Sequence, residues 1–378
     1  MSRESGRYAH VAVLGIKTLP AFAGADRVVE HLLERFSPTN EYTVYLVRNG
    51  TPVLSCTENR HYVYVPALKG KYLHAVSYFL LCCAHYLIKG RYDSVHVHNS
   101  DFGVFCPLLK LKRGARIVGT FHGDPAPREK WNRFAKAFLH ASEAVFVRTC
   151  DTLTSVSPDK HVPGRVVHYI PNGTDFSAPA PESHDALPYA MPSLQEGNYV
   201  MFACGRLDRT KGLHHLLRAY RELTTDLPLM VVGDFSHDPE YSAEIEKSAS
   251  ADSRVLLRKE LLDRVALSEA VRRCAVFVFP SEYEGMSMML LEAITYAKVV
   301  VCSDIPANIA VVGPAYEFQF PSEDSVALSA VLDKALAVSW GMWSSARLRD
   351  HIAATFSWDR IAIAYEELYE GRSIPDYV

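Results

Sequence analysis

Apolar, β-prone runs alternate with segments of helical period along both halves of this chain. In the first half, 10–15, 42–47, 61–65, 94–98, 116–121 and 166–170 read as strands. The segments near 26–36, 72–89, 103–111 and 129–147 read as helices. Such alternation argues for a parallel sheet covered by helices on both faces. It restarts at Tyr199, continues to Val301, and closes with helical segments near 324–337, 343–354 and 358–370. Between the halves, Ser177 to Gly197 carries Pro179, Pro181, Pro188 and Pro192 among Ser, Asp and Glu, the composition of a linker. No internal repeat or low-complexity tract is visible. The pattern supports an α/β protein of two domains, and in such sheets ligands bind beyond the carboxyl ends of the strands.

Two of those strand ends carry chemistry. Ala275–Pro280 is a short apolar run that leads into Ser281-Glu282-Tyr283-Glu284-Gly285-Met286-Ser287 and then a helical segment containing Glu292. A helix from Glu284 to Glu292 would span about 12 Å at ~1.5 Å per residue, with Gly285 and the next amides forming a bare, phosphate-accepting N-terminus. The alternative is an amphipathic helix with two solvated glutamates. Tyr199–Cys204 reads as a buried strand and runs into Gly205-Arg206-Leu207-Asp208-Arg209-Thr210-Lys211-Gly212. A glycine-punctuated turn with two cations suits a diphosphate, since Arg206 offers a planar fork and Lys211 a point charge. Cations in such a place are also commonly just solvated.

Taken together, these segments resemble the retaining GT-B glycosyltransferases of family 4, whose G-R-x-x-x-x-K-G and E-x7-E signatures they match in order. The resemblance runs nearly end to end. His10–Gly15 is similar to the family's first strand, and Gly24-Ala25-Asp26 to its first loop. Thr120-Phe121-His122-Gly123 resembles the strand end bearing the active-site histidine, and Ile170-Pro171-Asn172-Gly173 the turn closing the first domain. Phe356-Ser357-Trp358-Asp359 looks like the start of a C-terminal helix that crosses back to the first domain. Ser303–Asn308 and Gly233–Ser242 lean towards members that build bacterial surface polysaccharides, rhamnosyltransferase-like ones among them. Two departures stand out. Ala25 replaces the usual second glycine, and Met286-Ser287 replaces the common Phe-Gly or Leu-Pro, which leaves the sugar open.

The resemblance implies a GT-B fold: two Rossmann-like domains with parallel sheets facing a central cleft. The expected boundaries are 1–176 for the acceptor domain, 177–197 for the linker, 198–357 for the donor domain, and 358–378 for the returning helix. It implies that His122 contacts the donor sugar, that Glu284 bonds sugar hydroxyls and that Glu292 accepts from the ribose diol. Gly24, Gly205, Gly285, Met286 and Ser287 complete the donor-binding set. The co-substrate is then a nucleotide-diphosphate sugar and the acceptor a saccharide or a lipid-linked one, with retention of configuration. Many such enzymes bind the diphosphate through a cation held by Asp-x-Asp. No D-x-D triplet occurs here, so charge stabilisation falls to Arg206, Lys211 and helix N-termini, and no metal or other cofactor is expected. His96 and His98 form a His-x-His pair without a carboxylate or cysteine partner on the same element, a weak pattern for a metal.

The bulk properties fit a globular enzyme: 378 residues, 48% hydrophobic and 22% charged, enough for two cores. The net charge of −3 hides a split. Residues 1–176 hold 22 Lys and Arg against 14 Asp and Glu, a net of +8, which leaves −11 for the rest. The basic half, with Lys110, Lys112, Arg113 and Arg116 clustered, suits an anionic acceptor or membrane surface; chance asymmetry is the rival reading. Tyr72–Ile88 is short for a bilayer span and reads as a helix with interfacial contact open to it. The eight cysteines show no C-x-x-C spacing and suit buried positions in a reducing compartment. The polar start suggests no signal peptide, so a cytoplasmic protein is expected, peripheral to the membrane at most, with no nucleic-acid partner. A hydride-transferring enzyme is disfavoured because Gly15–Pro20 lacks G-x-G-x-x-G. A GT-B sugar-nucleotide epimerase and a silent nucleotide-sugar-binding scaffold remain as alternatives.

Overall fold

The structure is a computed structural model that describes residues 9–21, 24–48, 54, 56–68, 70, 73–123, 133–175, 197–297, 299–338 and 346–374. The expected linker, 177–197, lies outside these except for Gly197. The chain forms two compact units: Met1–Asn172 with Trp358–Val378, and Gly173–Ser357. The expected boundary at 176 thus falls just inside the second unit.

Among the described residues, the first unit holds β1 (His10–Leu14), α1 (Ala25–Arg35), β2 (Glu41–Val47), β3 (Arg60–Val65), α2 (Leu73–Lys89), β4 (Ser94–His98), α3 (Cys106–Leu109), β5 (Arg116–Phe121), α4 (Arg133–Thr149), β6 (Thr152–Ser155) and β7 (Val167–Tyr169). Its sheet is parallel throughout, in the order β3-β2-β1-β4-β5-β6-β7. Strands β1 and β4 are buried on both faces: in β1 this gives the continuous apolar run Val11–Leu14, whereas in β4 Val95 and Val97 alternate with the buried polar residues Ser94, His96 and His98. The order reverses between β1 and β4, the switch point where such sheets open a crevice. Gly15 ends β1 there at φ 92°, and a Cβ would collide with the His98 carbonyl. The expected helix at 103–111 is instead a 3-10 turn, Ser100–Phe105, followed by the single-turn α3. Gly103 lies so close to the Ser142 carbonyl that a Cβ has no room, and this packing against α4 shapes the segment.

In the second unit follow β8 (Val200–Arg206), α5 (Leu213–Arg221), β9 (Leu229–Asp234), α6 (Pro239–Ala249), β10 (Val255–Arg258), α7 (Arg264–Arg273), β11 (Val276–Phe279), α8 (Met288–Tyr296), β12 (Val300–Ser303), α9 (Pro306–Val312), β13 (Gln319–Phe320), α10 (Ser325–Leu336) and α11 (Ala346–Thr355). This sheet is also parallel, in the order β10-β9-β8-β11-β12-β13, and its switch point lies between β8 and β11. One core cluster joins Val200, Phe202, Leu216, Val231, Val276, Val278, Val301 and Leu328.

The last helix, α12 (Trp358–Tyr369), belongs to the first unit. Trp358 stacks on His31, ring centroids 4.9 Å apart. Glu366 accepts from the Tyr42 hydroxyl at 2.6 Å, the Ser37 amide at 2.8 Å and Asn40 Nδ2 at 3.1 Å. No helix among the described residues is long and apolar enough to cross a membrane.

Candidate functional site

In the second unit, two loops meet beyond the ends of β8 and β11. The buried strand β8 becomes exposed at Gly205 and Arg206. Asp208 then turns the chain by accepting the Thr210 amide at 3.0 Å, and Gly212 closes the turn in the left-handed region at φ 66°. A side chain at Gly212 would collide with the Pro280 carbonyl, so glycine alone permits the loop after β8 to lie on the loop after β11. The Glu282 amide completes the seam by donating to the Thr210 carbonyl at 2.8 Å.

That seam brings Lys211 and Glu284 together. Lys211 Nζ lies 2.7 Å from Glu284 Oε1, with the side chains 22% and 11% exposed. Ser281 Oγ donates to the same oxygen at 3.0 Å. Ser281 is held in turn through its carbonyl by Ser303 Oγ at 2.5 Å, and Asn308 Nδ2 donates to Ser303 Oγ at 3.0 Å. Burial opposes the Lys211 charge, but the Glu284 carboxylate outweighs it and holds the ammonium above its ordinary pKa. Arg206 stays exposed and makes no salt bridge among the described residues. A Cβ at Gly205 would meet nothing, so space lies open beside it.

The structure corrects the expected helix start. Helix α8 begins at Met288, not at Gly285, and its N-terminus is not bare: Ser287 caps it by accepting the Leu290 amide at 3.4 Å. Glu284 is already committed to Lys211 and Ser281, and Met286 is buried, so Glu284-Gly285-Met286 stays in the loop. Glu292 lies within α8, partly buried.

The first unit presents a separate constellation. His122 follows β5, and its Nε2 lies 2.8 Å from His98 Nδ1 at the end of β4. The His98 ring lies tilted against His96, centroids 3.8 Å apart. His96 spends both nitrogens, Nδ1 on Tyr369 Oη at 2.7 Å and Nε2 on Thr120 Oγ1 at 2.6 Å, which leaves neither for a metal. Burial pushes the His122 imidazole down to about 4 and those of His96 and His98 well below the usual range. All three are neutral near pH 7, and a neutral pair can share one proton in its hydrogen bond. Gly24 precedes α1 at φ 66° and leaves that helix without a side-chain cap.

Sequence reasoning missed Ser281 and His98 as partners of Glu284 and His122. The His-x-His spacing was the available signal for His98, since residues two apart on a strand share a face. The basic cluster is less open than expected. Lys110 is paired with Asp151 at 2.6 Å, and Lys112 donates to the Leu87 and Gly90 carbonyls at the end of α2.

Comparison with known proteins agrees with this layout. A model described as Glycosyltransferase Family 4 matches residues 22–178, and one described as Glycosyl transferases group 1 matches residues 191–348. The alpha-maltose-1-phosphate synthase of Mycolicibacterium smegmatis is 28% identical over 73% of this chain and 78% of its own length. The UDP-Gal:alpha-D-GlcNAc-diphosphoundecaprenol alpha-1,3-galactosyltransferase of Escherichia coli is 24% identical over 80% and 81%. Sucrose-phosphate synthase from Thermosynechococcus elongatus superposes with TM-score 0.80 at 19% identity, covering 97% of this chain and 99% of that one. HepE of Anabaena, crystallised with UDP and glucose, gives TM-score 0.76 at 15% identity, over 96% and 100%. Matched in succession along both of its units, the chain belongs to the GT-B glycosyltransferases of family 4.

Proposed function

We propose that this glycosyltransferase moves a sugar from a uridine-diphosphate donor to a lipid-diphosphate-linked saccharide, with retention and without a metal at the diphosphate. The observation that carries the reading is the Lys211–Glu284 pair at the sheet switch point, with Arg206 exposed at the end of β8, on the strand that leads into the Lys211 loop. A diphosphate arriving there competes with Glu284 for the Lys211 ammonium. Lys211 and Arg206 then meet the charge that grows on the leaving phosphate, and Glu284 is released to accept from sugar hydroxyls. Glu292 receives the ribose diol. His122, neutral and held by His98, is the histidine to which its motif assigns contact with the donor sugar. HepE with bound UDP, and the galactosyltransferase named for UDP-Gal and a diphosphoundecaprenol acceptor, support the donor and acceptor classes.

A lipid-linked acceptor places the enzyme at a membrane surface, as a peripheral protein of the cytoplasmic face engaged in surface-polysaccharide or glycolipid assembly. Helix α2 supports this: Leu73, Leu80, Leu81 and Ile88 are 59%, 46%, 42% and 76% exposed. Lys89 at its end and Arg91 beyond supply charge for anionic headgroups. Purified protein incubated with UDP-sugars and a polyprenyl-diphosphate saccharide tests the whole reading. An α-configured product by NMR is expected; an inverted product, or no transfer from any UDP-sugar, overturns it.

A further inference from the structure

Three residues next to the donor loop converge without any part in the reaction proposed above. Helix α5 opens with Leu213, and His214 and His215 follow. Both imidazoles turn the same nitrogen to one carboxylate: His214 Nε2 lies 3.3 Å and His215 Nε2 3.1 Å from Glu282 Oε1. The rings are 4.0 Å apart, and one ligand atom from each of the three residues falls within 4.8 Å of the others. Tetrahedral zinc with bonds of ~2.0–2.1 Å needs ligand atoms about 3.3–3.4 Å apart, close to the two histidine–carboxylate spacings.

The surroundings also suit a metal. Each histidine's other nitrogen already faces a hydroxyl, His214 Nδ1 on Tyr241 Oη at 2.8 Å and His215 Nδ1 on Ser325 Oγ at 3.4 Å. Such outer partners fix the tautomer that offers Nε2 to an ion. Four elements contribute: α5, α6 through Tyr241, α10 through Ser325, and the loop after β11, whose Glu282 amide is pinned to Thr210. Burial keeps both imidazoles largely unprotonated, the state a metal requires. Nearby Arg209 opposes a cation, but its guanidinium is paired with Glu244.

We propose that His214, His215 and Glu282 bind one divalent transition-metal ion of the zinc type, clamping α5 to the loop that carries Glu284. In the empty site each Nε2–H donates to Glu282. On binding, each imidazole carries its single proton on Nδ1 instead, donates it to the Tyr241 or Ser325 oxygen and offers Nε2 to the ion, and a water completes the fourth position. The ion would brace the loop from behind and need not touch the diphosphate, so the site stands or falls apart from the metal-free transfer step.

The test is metal content. The full-length protein is stripped with a chelator, dialysed against Zn²⁺ and measured by elemental mass spectrometry, with Co²⁺ absorption reporting coordination. One Zn²⁺ per chain and a four-coordinate Co²⁺ spectrum are expected. Both should be lost in His215→Ala and in the near-isosteric Glu282→Gln. Tyr241→Phe should weaken binding by roughly 10- to 100-fold. Zn²⁺ should raise the melting temperature of the wild type and not that of Glu282→Gln. Wild-type protein that takes up no Zn²⁺, binds Co²⁺ only in six-coordinate form, or matches Glu282→Gln in uptake overturns the assignment. The wild-type measurements decide this even if a variant misfolds.

Discussion

Lys211 Nζ sits 2.7 Å from Glu284 Oε1, joining two loops 73 residues apart in sequence. The pair is partly buried, and either partner left alone becomes a charge held out of water. Lys211→Ala should therefore lower turnover by roughly 10- to 150-fold, as removal of a charge-assisted contact of about 1.5–3 kcal/mol implies. KM for the donor should change less, because the phosphate charge grows towards the transition state. Steady-state kinetics with the protein's own donor would show this; wild-type kcat in Lys211→Ala would remove Lys211 from the reaction.

Divalent cations should not be needed at the diphosphate. On the proposed reading, with no D-x-D triplet in the sequence, the charge comes from Arg206 and Lys211. Turnover in metal-free buffer should stay level when Mg²⁺ or Mn²⁺ is added. A several-fold rise with either ion would point to a cation on the phosphates.

Gly212→Ala should cost about 1–3 kcal/mol of stability for the left-handed backbone alone. The collision with the Pro280 carbonyl adds to it and pushes the two loops apart. A chemical-denaturation midpoint equal to that of the wild type would refute this packing.

Acid should destabilise the first unit through its histidines. Folded His122 takes a proton only near pH 4, whereas an unfolded imidazole does so near 6.5. Between these values the unfolded chain binds more protons, so stability rises with pH across the window and is fully present above about 6.5. His96 and His98 act in the same sense. Urea midpoints at pH 5 and pH 7 should show the loss, with a shallower slope in His122→Gln.

The proposed membrane attachment should depend on the open face of α2. Burying a large aliphatic side chain is worth about 1.5–3 kcal/mol. Leu80→Glu with Ile88→Glu should then weaken binding to anionic vesicles by roughly tenfold or more. Co-sedimentation unaffected by the double substitution would assign attachment elsewhere.

Most of the architecture was legible because parallel strands buried on both faces leave unbroken apolar runs, as at Val11–Leu14 and Val276–Phe279. The strand Thr152–Ser155 escaped notice, since threonine and serine hide its burial. Lys211 and Glu284 were visible as motif positions, but their direct pairing was not. It depends on Gly212 meeting Pro280, a tertiary contact that no local pattern encodes. The helix start was misplaced for a related reason. Glycine at 285 looked like an opening, whereas Ser287 is the side chain that satisfies an amide. The His214–His215–Glu282 cluster was invisible in sequence because its carboxylate comes from a loop far along the chain.

The return of Trp358–Tyr369 to the first unit gives synthesis and folding different clocks. Tyr42, Ser94 and His96 are made early, yet their partners on that helix emerge only after Gly173–Ser357 has been translated. At ~5–20 residues per second, the wait is roughly 10–40 s. Through that interval the second unit can finish while the first keeps an uncovered face, including His96, whose Nδ1 is later met by Tyr369. A nascent chain stalled before Trp358 would thus carry a completed second unit and an unfinished first one, the reverse of the order in which they left the ribosome.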